Sequence, residues 1–258
     1  MSAQKGQGVW CSRIPKLVLF DADQFATSET HDTERMELNP HSTMKHRDVM
    51  VGSWRLPGFM TVPQRAPALV VFAHGSGSSR FSRRNRQVAQ SLNGAGLATL
   101  LFDLLSPEEE AAQGRARVFD IALLAERLID AVEWADEALG ETKKMSFGLF
   151  GASTGAAAAL VAAAELGNRI SAVVSRGGRP DLAGDALADV TAPTLLIVGG
   201  ADHGVIELNE MALREMHAPA SLQIIPGATH LFEEPGAMEQ VTVLARDWFQ
   251  RYLKQTIS

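Results

Sequence analysis

The chain has 258 residues with 46% hydrophobic and 21% charged content, an ordinary globular composition that can bury one large core. A net charge of −6 and a pI near 5.7, with no long basic run, argue against an electrostatic nucleic-acid binder. Cys11 is the only cysteine, so an intramolecular disulfide and a cysteine-based zinc cluster are both excluded.

Residues 1–45 are polar, with His31 and His41 scattered among them, and show no sustained period of two or 3.6 residues. They are expected to form an extension preceding a catalytic domain at 46–258. Within them the apolar stretch Leu17-Val18-Leu19-Phe20 is too short for a signal-peptide core or a membrane span. A soluble cytoplasmic protein with no membrane partner is therefore expected. Val18-Leu19-Phe20-Asp21-Ala22-Asp23 echoes the Asp-x-Asp start of haloacid-dehalogenase-type phosphatases, but Gln24-Phe25 breaks that pattern.

Two strand-like pieces, 48–53 and 55–62, meet tightly through Gly52 and Trp54, which suits an antiparallel hairpin at a sheet edge. Met44, Met50 and Met60 fit packing better than a metal box. The apolar run 69–73 reads as a buried strand and ends in His74-Gly75-Ser76-Gly77-Ser78-Ser79. This turn can present backbone N–H groups, and it lacks the Gly-Lys-Ser/Thr ending of a nucleotide loop. Arg80, Arg83, Arg84 and Arg86 follow it. A second strand is expected at 98–102, and the acidic run Glu108-Glu109-Glu110 lies beyond it. Val118, Ile121, Leu124, Leu128, Val132 and Ala135 then recur at helical steps.

Residues 146–150 form the next apolar strand, which runs into Gly151-Ala152-Ser153-Thr154-Gly155 and an alanine-rich helix to Leu166. This is a nucleophile-elbow arrangement, in which a sharp strand-to-helix turn exposes one serine hydroxyl at the end of a sheet. A strand at 170–174 leads to Arg176 and Arg179, and a brief helical pattern covers 182–190. That interval leaves no room for a large lid domain. The strand 194–198 ends in Gly199-Gly200-Ala201-Asp202, and the strand 222–225 ends in Gly227-Ala228-Thr229-His230. Apolar positions from Val241 to Tyr252 predict a final helix. Strands alternating with helices imply an α/β fold, with a mostly parallel central sheet and helices on both faces.

A serine hydroxyl needs a base within hydrogen-bond reach and a carboxylate to orient that base. Ser153, Asp202 and His230 fall in the chain order expected for an elbow-bearing sheet, each at the carboxyl end of a predicted strand, where open α/β sheets bind ligands. An Asp after a Gly pair is often only a turn residue, and a loop His is often only solvated; the shared placement favours catalysis. His203 is expected as a neighbour of the acid. Backbone N–H groups of Ser76 and Thr154 are the expected oxyanion donors.

These four motifs resemble the α/β-hydrolase superfamily, and the lidless layout of residues 47–258 is similar to the dienelactone hydrolase family. The resemblance implies hydrolysis of a carboxylic ester or lactone. The dienelactone hydrolases proper use cysteine where this chain has Ser153, which favours a general esterase. No metal or organic cofactor is required. The partner expected is a small-molecule ester or lactone, with His74, Arg176 and Arg179 as candidate substrate-binding residues. One or two arginines are expected to clamp a carboxylate or phosphate by bidentate hydrogen bonds, unless they pair with Glu108–Glu110 or lie solvated. Two rivals remain: a non-catalytic ligand-binding receptor on the same fold, and an acyltransferase or perhydrolase using the same triad.

Overall fold

A computed structural model describes residues 44–112, 114–139 and 145–253. The Asp-x-Asp echo, Cys11 and nearly all of the expected N-terminal extension lie outside the described residues.

Eight strands form one sheet in the order β1-β2-β4-β3-β5-β6-β7-β8. β1 (Lys45–Val51) and β2 (Leu56–Val62) make the expected edge hairpin, and β2 also runs antiparallel to β4 (Ala98–Phe102). All other neighbours are parallel: β3 (Ala68–Ala73), β5 (Ser146–Ala152), β6 (Ile170–Arg176), β7 (Thr194–Gly199) and β8 (Ala220–Ile225). After β3 the chain steps outward to β4, then returns across β3 to place β5 on its other side. The strand order therefore reverses between β3 and β5, and a crevice opens at their carboxyl ends.

Alternation along β3 shows why the sheet is covered on both faces. Leu69, Val71 and Ala73 belong to one buried cluster, while Ala68, Val70 and Phe72 belong to another. The first cluster is closed by Leu124, Leu128 and Val132 of α3 (Ile121–Leu139) and by the alanines of α4 (Thr154–Leu166). The second is closed by Val88 and Leu92 of α1 (Arg83–Gly94) and by Val241, Ala245 and Phe249 of α7 (Ala237–Tyr252). The small side chains of α4 let it sit close to the sheet. A Cβ on Gly151 of β5 would lie 2.3 Å from the Ala156 Cα, a distance real contacts do not show.

Two expected helices are broken differently from the sequence pattern. Val118 lies in a 3-10 turn, Gly114–Phe119, because Asp120 starts α3 by accepting the Leu123 N–H at 3.1 Å. The pattern at 182–190 splits into a 3-10 turn, Pro180–Ala183, and a short helix, because Gly184 between them has φ +53°. In chain order the remaining helices are α2 (Pro107–Ala112), α5 (Ala186–Asp189) and α6 (His203–Glu215). No helix among the described residues is long and apolar enough to cross a membrane.

Candidate active site

Ser153 lies between β5 and α4 at φ 52°, ψ −123°, a left-handed backbone that costs a non-glycine residue roughly 1–3 kcal/mol. Surrounding contacts hold it there. Its N–H donates to the Arg176 carbonyl at 3.2 Å, and its own carbonyl accepts the Ala156 N–H at 3.1 Å and the Arg179 N–H at 3.2 Å. Glycines supply the room. A Cβ on Gly155 would lie 2.5 Å from the carbonyl oxygens of both Ala73 and His74, and one on Gly75 would lie 3.0 Å from the Ser153 Cβ. The elbow and the end of β3 are thus packed backbone to backbone.

Asp202 and His230 come from the adjacent strand ends of β7 and β8. Backbone bonds tie those two turns together: Gly200 N–H to the Ile225 carbonyl at 2.8 Å and Ala201 N–H to the Ala228 carbonyl at 2.9 Å. Asp202 precedes α6, and its carbonyl accepts the Val205 and Ile206 N–H groups, both at 3.0 Å. Its carboxylate makes no capping bond; instead Oδ2 lies 2.7 Å from Nδ1 of His230. An ionised carboxylate only accepts, so Nδ1 carries the proton and Nε2 is left as a free basic nitrogen. Phe232, only 1% exposed and at φ 55°, anchors the histidine loop in the core.

The imidazole and the elbow share a neighbour. A Cβ on Gly177 would lie 3.1 Å from the His230 carbonyl oxygen and 3.5 Å from its ring Cε1. The carbonyl of Arg176, one residue earlier, is the one that accepts the Ser153 N–H. A side chain at 177 would therefore crowd the His230 carbonyl and the Phe232 ring.

The two expected oxyanion donors differ. Thr154 is the first residue of α4, where an N–H has no intrahelical acceptor. The Ser76 N–H is already engaged, since it donates to Oγ1 of Thr154 at 3.0 Å. An oxyanion would have to displace or share that contact. The Thr154 hydroxyl is a feature that reading the motif for its backbone alone misses.

His74 is not free to meet a substrate. Its Nδ1–H donates to the Gly75 carbonyl at 3.0 Å and its Nε2 accepts the Leu104 N–H at 3.1 Å. Burial holds its pKa below the ordinary value of 6.5, which keeps it neutral. It braces the turn after β3 against the start of the 104–120 segment. Behind that turn a cavity of about 10 Å³ is lined by His74, Ser76, Leu104, Leu105, Val118 and Leu124 among others.

The arginines separate as well. Arg179 is held bidentately by its neighbour Asp181, at 2.8 and 2.7 Å, so it is not available as a clamp. Arg80 pairs with Asp103, and Arg84 reaches Glu233 at 3.3 Å. None of these takes the acidic run; Glu109 instead binds Arg117 at 3.0 Å and Arg127 at 2.8 Å. Arg176 is only 7% exposed, and its one hydrogen bond goes to Oδ1 of Asn85 at 3.3 Å. Burial and the nearby Arg84 charge push its pKa down to about 10. His203 opens α6 and is exposed. Among the described residues no group of three or more His, Cys, Asp or Glu side chains could hold a metal ion.

A model of the dienelactone hydrolase family matches residues 56–255. A crystal structure of a dienelactone hydrolase from Anabaena variabilis is similar at 53% identity and a TM-score of 0.78, over 83% of this chain and 99% of that one. An esterase of Pyrococcus furiosus, at 16% identity and a TM-score of 0.63 over 83% of this chain and 92% of that one, shares the fold. Two Mycobacterium tuberculosis proteins carrying the provisional name phosphoribosyl transferase are 59% identical over 205 residues, which is 80% of this chain and 46% of each relative. The chain thus spans about half the length of those relatives.

Proposed function

The chain belongs to the dienelactone hydrolase family, and on that premise we propose that it is a serine hydrolase that cleaves a carboxylic ester or lactone through an acyl-enzyme. His230 Nε2 takes the proton of Ser153 as its hydroxyl oxygen attacks the carbonyl carbon. Asp202 fixes the tautomer of His230 and stabilises the imidazolium that forms. The oxyanion is received by the Thr154 N–H and, in exchange for the Thr154 hydroxyl, by the Ser76 N–H. The imidazolium then gives its proton to the leaving alcohol, and water cleaves the acyl-enzyme with His230 again as base. The elbow supports this reading most directly: a serine is held in a strained backbone at the strand-order reversal, against the same loop that touches the Asp202-paired imidazole.

The test is fluorophosphonate labelling together with hydrolysis of 4-nitrophenyl acetate. Both are expected in the native protein and absent in Ser153→Ala. A folded protein that neither labels nor hydrolyses would support the receptor reading instead.

The transferase name of the mycobacterial relatives belongs to proteins about twice as long as the shared region. Within that region, transfer of the acyl group to an acceptor other than water would use the same residues. Product analysis with competing alcohols or peroxide separates that acyltransferase or perhydrolase reading from hydrolysis.

A further inference from the structure

His74 immediately precedes the turn that carries the Ser76 N–H, and it is only 8% exposed. Its hydrogen bonds fix its tautomer. A carbonyl only accepts, so Nδ1 carries the proton that goes to the Gly75 oxygen at 3.0 Å. A backbone amide only donates, so Nε2 is the bare nitrogen that receives the Leu104 N–H at 3.1 Å. Leu104 is itself only 1% exposed, so the far end of the ring is fastened to backbone held in the core.

The Gly75 oxygen and the Ser76 N–H are opposite ends of one planar peptide group. Its N–H end donates to Oγ1 of Thr154 at 3.0 Å. Its oxygen end accepts from His74 at 3.0 Å and from the Ser78 N–H at 3.2 Å, which fills both acceptor positions. The group lies against the elbow, since a Cβ on Gly75 would meet the Ser153 Cβ at 3.0 Å and the Ala152 carbonyl oxygen at 3.1 Å. In the proposed reaction the Ser76 N–H leaves the Thr154 hydroxyl for the oxyanion. From that moment the orientation of the peptide depends on what holds its oxygen end. A donor stabilises developing charge best when it is held in place beforehand, and a hydrogen bond at the oxygen end also polarises the N–H at the other.

We propose that His74 is a positioning residue of the oxyanion site: through its Nδ1–H on the Gly75 oxygen it aims the Ser76 N–H at the substrate carbonyl, and it touches no substrate itself. Its effect on turnover rests on the hydrolase reading; its hold on the Gly75–Ser76 peptide does not. A brace of the 104–120 segment alone would act through the other nitrogen, and two substitutions separate these roles. Asparagine sets an amide N–H at the place of Nδ1 but is too short to reach Leu104. Glutamine brings a carbonyl oxygen to the Leu104 N–H and leaves the Gly75 oxygen without its side-chain donor.

The experiment measures kcat/KM for 4-nitrophenyl acetate and inhibition by phenylboronic acid in the native protein, His74→Asn and His74→Gln. The boronate adduct of a serine hydroxyl is tetrahedral and negatively charged, so its affinity reports the oxyanion site apart from substrate binding. His74→Asn should stay within about tenfold of native, and His74→Gln should lose about 10²-fold in kcat/KM, the cost of a misplacement of about 1 Å, with boronate affinity falling in step. Activity in glutamine equal to or above that in asparagine, or boronate affinity that does not follow turnover, overturns the proposal. If native 4-nitrophenyl acetate hydrolysis is absent, the hydrolase reading fails on its own. Imidazole nitrogen NMR of the native protein then judges the positioning, and needs neither turnover nor a folded variant. His74 should carry its proton on Nδ1, and an Nε2–H tautomer overturns the proposal.

Discussion

Gly155→Ala tests whether the elbow and the oxyanion turn are one packed unit. In a helix, alanine is favoured over glycine by about 1 kcal/mol, so an unhindered substitution at this position of α4 would stabilise the protein. The structure predicts the opposite sign. The new Cβ would lie 2.5 Å from the carbonyl oxygens of Ala73 and His74, whereas ordinary contact begins at 3.4 Å. Both carbonyls are backbone and cannot rotate away, so the end of β3 or the start of α4 must retreat by about 0.9 Å. Overpacking of this kind costs roughly 1–3 kcal/mol, which cancels or outweighs the helix gain of about 1 kcal/mol and leaves a net loss of up to about 2 kcal/mol. For a domain of this size that is a fall in Tm of up to about 8 °C. Activity should fall further than stability, because Ser76 is two residues beyond His74 and a misplacement near 1 Å can cost about 10²-fold in rate. Thermal melts and kcat/KM for 4-nitrophenyl acetate, measured below the melting transition, read both effects. Gly94→Ala serves as the control: it ends α1 with nothing within 4 Å of the new Cβ and should leave both quantities unchanged or raise Tm slightly. A Gly155→Ala protein with native Tm and native turnover would refute the packing argument.

Asp202→Asn should keep the fold but lower kcat by about 10⁴-fold, since the amide can hold His230 in the wrong tautomer; a loss under tenfold would remove Asp202 from the relay. Thr154→Val leaves the Ser76 N–H without its acceptor and should cost about 1–3 kcal/mol in the free protein. Covalent phosphonylation of Ser153 supplies an oxygen for that N–H, so the gain in Tm on labelling should be larger in Thr154→Val than in the native protein. An equal gain would place the oxyanion elsewhere. His74 contributes a pH dependence whose sign follows from its lowered pKa: the unfolded chain binds the proton more readily, so stability is full above pH 6.5 and declines as the pH falls below it. His74→Asn should flatten that acid limb of a denaturant-midpoint titration, and an unchanged slope would assign it to other groups. The cavity of about 10 Å³ behind the oxyanion turn has room for about one water. If the acyl chain enters there, acetate esters should be cleaved faster than octanoate esters; a rise in kcat/KM with chain length would place the acyl group elsewhere.

The six parallel strands and the elbow were legible because their signals are local. A buried strand is an uninterrupted apolar run, and Gly151 and Gly155 flank the serine as the turn requires. The strand ends extend past the apolar runs, as in β5, which continues to Ala152, and β6, which continues to Arg176. There the backbone ladder persists after the hydrophobic pattern stops. Helix α1 was not legible. Its five charged or amide positions before Val88 mask an apolar stripe that consists of little more than Val88, Ala89 and Leu92. Helix α6 was missed for the same reason, with Asn209 buried where an apolar residue would have kept the period.

The arginines show where sequence reading stops. Arg176 and Arg179 sit three residues apart after one strand and looked equivalent as substrate clamps. One is neutralised by Asp181 two residues away, a pairing that short-range inspection could have found. The other is buried against Asn85, 91 residues distant, and no local pattern reports that. The difference arises from β6 geometry. Successive side chains point to opposite faces, so Arg176 follows Ala172 and Val174 onto the α1 face, whereas Arg179 lies past the turn at Gly177 and reaches its acid in the loop. The strand thus carries the Arg176 cation into the core, where its one hydrogen bond is to Asn85 and no carboxylate among the described residues pairs with it. Arg176→Met should therefore raise Tm, because it removes a buried charge that no carboxylate offsets; a lower Tm would show that the Asn85 bond outweighs that cost.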